Sequence, residues 1–153
     1  MKTPSRLLMV LLLQAMTSFA AEPASVFYAQ LIRGTDQEKP PESTWKRIGP
    51  KLAQQLFPKF RWKYYWEVNR QTAIVEPTRP TRFRLSAERE VEIGLGTKND
   101  SQIRLYVGGV LTRCSRQPAT TPMTIMGGAK ENDESWFVVV RRDRPSSYTE
   151  AKR

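Results

Sequence analysis

The sequence predicts an α+β domain: one helix packed on a twisted antiparallel sheet, a meander of five to seven strands, preceded by a cleaved signal peptide. Three observations carry this. Apolar and polar residues alternate through residues 60–69 and again through 83–95, the period of a half-buried strand. Gly108-Gly109 separates two β-rich runs, QIRLYV and VLTRCS, and a glycine pair supplies the positive φ values that a two-residue hairpin turn demands. One stretch, Trp45, Ile48, Leu52 and Leu56, recurs at helical spacing.

The chain opens with Lys2 and Arg6 ahead of an apolar run from Leu7 to Met16, and Ser18-Phe19-Ala20 offers the small residues that a signal peptidase reads. That run is well short of the ~18 apolar residues needed to span a bilayer. Cleavage after Ala20 or Ala21 is therefore expected, leaving a protein with no integral membrane span, periplasmic or secreted. Residues 1–20 are assigned to the signal peptide, 21–143 to a single domain and 144–153 to a flexible polar tail.

Within the domain, VFYAQLI (Val26 to Ile32) is rich in β-formers and ends near Gly34, giving a first strand. The polar, proline-bearing loop TDQEKPPES follows. Pro50 fits only the first turn of a helix, so the helix is expected over about residues 49–57, and Pro58 ends it.

FRWKYYWEVNRQ, residues 60–71, packs five aromatic rings and three cations into one segment. As a strand it places Phe60, Trp62, Tyr64, Trp66 and Val68 on one face and Arg61, Lys63, Tyr65, Glu67 and Asn69 on the other. A nucleic-acid platform needs rings and cations on the same side, because bases stack while phosphates of the same strand are neutralised. The separation points instead to an aromatic core face against the helix stripe. If residues 83–95 form the neighbouring strand, alignment of the two apolar rows sets Trp62 opposite Ile93 and Lys63 opposite Glu92. Arg89 interrupts the second row, over Trp66 or at the sheet edge.

Beyond the Gly108-Gly109 hairpin, Met123 to Met126 and Ser135 to Arg142 are expected as strands joined by the loop GGAKENDE. Phe137 to Val140 shows no alternation, the mark of a strand covered on both faces.

Composition limits the chemistry. The chain has no histidine and one cysteine, which excludes Ser-His-Asp and Cys-His catalysis, histidine-ligated metals, thiolate zinc clusters and redox pairs. No phosphate-cradling glycine loop is present. No metal or cofactor is expected. Asn99-Asp100-Ser101 and Glu131-Asn132-Asp133-Glu134 read as turns rather than calcium loops. Cys114 is expected as a partly buried filler. Lys and Arg number 25 against 15 acids, and without Lys2 and Arg6 the balance is 23 against 15, a formal +8. Such an excess favours anionic partners without specifying a fold.

Three functional readings remain. The first is an exported, non-enzymatic binding or assembly module of the bacterial cell envelope that recognises a protein partner through a sheet edge or loop face. The second is a binder of polyanions or anionic membrane surfaces through a basic face of Arg61, Lys63, Arg82 and Arg84, extended by Lys46, Arg47 and Lys51. The third is a glycan hydrolase using two of Glu67, Glu88, Glu90 and Glu92, since paired carboxylates cleave glycosides without histidine.

Overall fold

A computed structural model describes residues 23–131 and 133–148; the expected signal peptide lies outside the described residues. The chain is mostly antiparallel β-structure with one α-helix. In order, the elements are β1 (Ser25–Thr35), β2 (Lys46–Arg47), α1 (Pro50–Leu56), β3 (Tyr64–Val75), β4 (Thr81–Arg84), β5 (Arg89–Leu95), β6 (Ser101–Val107), β7 (Val110–Gln117), β8 (Met123–Glu131) and β9 (Glu134–Arg141).

The strands form two sheets rather than the single meander expected from the sequence. One has the order β2-β3-β1-β9-β8 and the other β4-β5-β6-β7. The chain leaves the first sheet after β3, meanders through the second, and returns at β8. Two apolar clusters explain the layering. Phe27, Ala29, Leu31, Ala73, Val75, Val138 and Val140 of the five-stranded sheet bury against Leu85, Val91, Ile93, Ile103 and Leu105 of the four-stranded one. On the opposite face, Ile32, Tyr65, Phe137 and Val139 bury against Ile48, Leu52, Leu56 and Trp62. The five-stranded sheet is thus the middle layer, between the helix and the second sheet, and each face must find an apolar cover. Phe137 to Val140 is central and covered on both sides, as its lack of alternation implies.

Helix α1 starts at Pro50 with Gly49 as an extended N-cap and closes at Phe57. The missing N–H of proline falls where the helix has no internal use for one, so the start is fixed at little cost. The β6–β7 hairpin turns on Gly108 and Gly109 with φ of 58° and 79°.

Three expectations are corrected. First, β3 pairs with β1 and β2, so Lys63 does not face Glu92; Glu92 lies opposite Arg82 and Arg104. Residues 83–95 are not one strand: they hold the end of β4, a tight turn and β5, the turn closed by the Leu85 N–H donating to the Arg89 carbonyl at 2.8 Å. Arg89, the first residue of β5, lies 4.8 Å over the Trp136 ring. Second, the aromatic row does not share one face. Phe60 and Trp62 precede β3 and pack in the helix-side cluster with Tyr65, the residue expected on the other face, while Trp66, next to Tyr65 in β3, lies on the opposite face. Tyr65 and Trp66 are both buried. A bulge at Val68, between the Leu31/Asn69 and Ile32/Glu67 pairs, shifts the parity again. Third, GGAKENDE is largely strand: β8 runs to Glu131, which pairs with Glu134.

Of the polar C-terminal segment, residues 144–148 lie along the domain. Ser147 forms an antiparallel bridge with Ile48, Pro145 is buried, and its carbonyl accepts a 2.9 Å hydrogen bond from Arg70 Nη1.

Candidate functional site

The four residues of the expected basic face are not brought onto one strand pair. Arg82 and Arg84 lie on β4, at the edge of the second sheet, and both guanidiniums are engaged by Glu90: Arg82 Nη2 at 2.6 Å and Arg84 Nη2 at 3.0 Å. These bonds, with Arg84 first, hold the Glu90 carboxyl below its usual range. Arg82 also stacks 3.8 Å from the Tyr106 ring. Arg104 Nη1 is 2.6 Å from Glu92 on the same outer face. This face is cross-braced by its own ion pairs. Arg61 and Lys63, by contrast, are exposed on the approach to β3 in the other sheet, where the Lys63 N–H donates to Asp36 Oδ1 at 3.2 Å.

The carboxylates considered for hydrolysis are distributed, not paired. Glu67 sits on β3, held by Arg70 at 2.9 Å and 3.0 Å and by the buried Gln30 amide. Glu90 and Glu92 are on β5, each in an arginine pair, and Glu88 is in the hairpin turn. An acid and a base on either side of a glycosidic bond need opposed environments, one carboxyl held protonated and the other ionised. Glu90 moves in the ionised direction, and so does Asp143, which Arg141 and Lys51 hold well below the usual range. Among the described residues no cluster of acidic and sulfur side chains could hold a metal ion.

Two other surfaces stand out. The first is β7, the edge of the second sheet. Val110 is 67% exposed and Leu111 49%, and the strand stays open to solvent through Arg116. Cys114 is exposed on it, not a buried filler; a long contact, 3.7 Å from Gln102 Nε2, reaches its sulfur. The register breaks once, at Thr112, and then continues regularly from Arg113 to Gln117. Of the other terminal strands, β2 has two residues and abuts the Ile48–Ser147 bridge, β4 has four, and β8 is interrupted after Gly127; past the end of β2, residues 69–75 of β3 are paired among the described strands with β1 alone.

The second surface is a groove of about 590 Å³ between α1, the start of β3 and the C-terminal segment. Ala53, Phe57 and Pro58 form one wall, and Tyr64, Tyr65 and Tyr148 face them. Phe57 is 50% exposed although it meets Tyr65 edge-on at 5.1 Å, so an apolar ring is presented to the groove. Arg47 lies 5.3 Å over Tyr64 and 5.9 Å over Tyr148, and Lys63 completes the rim. The Tyr65 hydroxyl donates to the Phe60 carbonyl, and burial pushes its pKa up to about 12.

No family model, curated protein or solved structure matches the chain. Its surfaces are therefore the basis for any functional reading. No helix among the described residues is long and apolar enough to cross a membrane.

Sequence reasoning placed Arg82 and Arg84 correctly on a solvent face but missed the acids that engage them. It missed the groove entirely, because four separated segments contribute to it. The signal for β7 was present in the Gly108-Gly109 hairpin, but not the fact that this hairpin ends a sheet.

Proposed function

We propose that the protein is an exported, non-enzymatic binding module of the cell envelope that recruits a protein partner by strand addition to β7. The observation that carries this is an eight-residue edge strand that stays exposed and presents two apolar side chains, Val110 and Leu111, to solvent. An open edge presents unpaired N–H and C=O groups that another chain can satisfy, and folded proteins usually blunt such edges. An added strand would meet Val110 and Leu111 with apolar side chains, and Arg113 and Arg116 with acidic ones. Export rests on the N-terminal charge, apolar run and small residues. The non-enzymatic reading rests on the missing histidine and on carboxylates committed to arginine.

Binding of polyanions through Arg82 and Arg84 is the weaker reading, because Glu90 engages both guanidiniums and offsets part of their charge. The experiment is capture from envelope extract at low and high salt with residues 21–153, alongside Cys114→Pro and Ser115→Pro variants. Successive residues of an edge strand direct their N–H groups alternately inward and outward, so one proline removes an outward donor and the other a ladder bond. The expected result is a discrete protein retained at high salt and lost with whichever variant keeps wild-type stability. A heterogeneous anionic catch that washes off with salt would favour the polyanion reading.

A further inference from the structure

We infer that the groove between α1 and β3 is a binding site for a single-chain amphiphilic carboxylate, an alkyl chain of medium length with an anionic head. This is independent of strand addition at β7. The volume, about 590 Å³, falls in the range of small-molecule sites, roughly 300–1,000 Å³. Its walls are apolar and aromatic. The charged residues lining it are Arg47 and Lys63, and among the described residues no acidic side chain lines it. An apolar body with one negative end matches that distribution, and a cationic amphiphile does not.

The backbone of the groove distinguishes an alkyl chain from a peptide. A bound peptide must find partners for its own N–H and C=O groups, or lose the free energy of desolvating them. Here several of the lining backbone groups are already committed. The Ile48 N–H donates to the Tyr65 carbonyl at 3.4 Å, and Ile48 is bridged to Ser147 on its other side. In the helix, the Ala53 N–H donates to the Gly49 carbonyl at 3.0 Å and the Phe57 N–H to that of Ala53 at 3.0 Å. The Tyr65 hydroxyl is taken by Phe60. An alkyl chain needs none of these partners, and its burial against Ala53, Phe57, Tyr64 and Tyr65 is favourable in proportion to the area covered. The carboxylate would then be met by Lys63 and by the Arg47 guanidinium, which its ring contacts hold in place.

The test uses residues 21–153 with decanoate below its micellar concentration, followed by calorimetry and by amide shifts in NMR. Decanol and decyltrimethylammonium serve as neutral and cationic controls, and a leucine- and aspartate-rich peptide as the competing class. The expected result is saturable binding of decanoate at one site, with shifts at Ala53, Phe57 and Tyr64. Lys63→Glu should weaken it at least tenfold, and Ala53→Trp, which fills the groove, should abolish it. Octanoate should bind more weakly than decanoate. Equal binding of the three decyl compounds, or shifts confined to other surfaces, would overturn the inference. So would tighter binding of the peptide at the same residues, which would make the groove a protein-docking site. A variant that unfolds is replaced by Gln54→Trp or Lys63→Gln, read in the same way.

Discussion

Gly49 lies so close to Ser146 that a Cβ on residue 49 would overlap the Ser146 carbonyl oxygen and stand 2.8 Å from its hydroxyl. The helix N-cap is thus the seat of the C-terminal segment. Gly49→Ala leaves the local backbone acceptable, since the φ of residue 49 is −71°, but displaces residues 144–148. We expect a loss of about 1–3 kcal/mol, the usual range for overpacking. Denaturant titration gives the magnitude, and hydrogen exchange should show the loss concentrated at Ile48, Arg70 and residues 144–148. Uniform loss of protection would mean that the contact is not local.

Arg33 lies between Trp45 and Trp136, 5.2 Å and 5.7 Å from their rings, and pairs with Glu134; both side chains are mostly buried. Burial also lowers the guanidinium pKa. Removing one partner of such a pair costs more than replacing both, because a charge is left without compensation. Glu134→Gln should cost about 1–3 kcal/mol, allowing for the residual exposure, and Arg33→Met in the same chain should recover most of it. A double-mutant cycle by thermal unfolding measures this; additive effects would refute the coupling.

The two limbs of the pH–stability profile should report different groups. The folded pKa of Asp143 is depressed, so its contribution is present above the unfolded value and lost as pH falls from about 4. The pKa of Tyr65 is raised, so its contribution is present below the unfolded value, about 10, and lost as pH rises toward about 12. Asp143→Asn should flatten the acid limb alone and Tyr65→Phe the alkaline limb alone, measured by urea midpoints across pH. Either variant altering both limbs would contradict the assignment.

Strand pairing can be tested by cross-linking in a Cys114→Ser background. Arg82→Cys with Glu92→Cys places two thiols at paired positions of β4 and β5 and should form a bond under mild oxidation. Lys63→Cys with Glu92→Cys joins positions in different sheets and should not. The opposite pattern would restore a single sheet in which β3 neighbours β5.

Features decided within a few residues were legible in the sequence. Gly108-Gly109 fixed a turn, Pro50 fixed the start of a helix, and Phe137 to Val140 announced a doubly covered strand. What failed was the assumption that consecutive strands pair and that alternation marks one wet face. Phe60, Trp62 and Tyr65 join the helix-side cluster, whereas Trp66, adjacent to Tyr65 and also buried, lies on the other face of β3 beneath Arg47, so the aromatic density of FRWKYYWEVNRQ serves two faces rather than one. Ser86-Ala87-Glu88 looked like continued alternation because a tight hairpin preserves the parity of the residues on either side. The groove was invisible for a different reason: Arg47, Phe57, Tyr64 and Tyr148 meet only after the sheet, the helix and the C-terminal segment have assembled.

The pairing of Ala29 with Val140 joins the first and last strands of the domain, while β4 to β7 each pair only with a neighbour in sequence. Closing a long loop costs entropy before any contact repays it, so the time order of assembly follows from this topology. The β4–β7 meander is the part able to zip locally. The middle sheet cannot be completed until residues 134–141 are free to insert beside β1, which until then exposes an unpaired and strongly apolar edge. A chain released from a membrane channel one end at a time would carry that edge until almost its last residue emerged, and this interval is when it would be most exposed to aggregation and most in need of a holding chaperone.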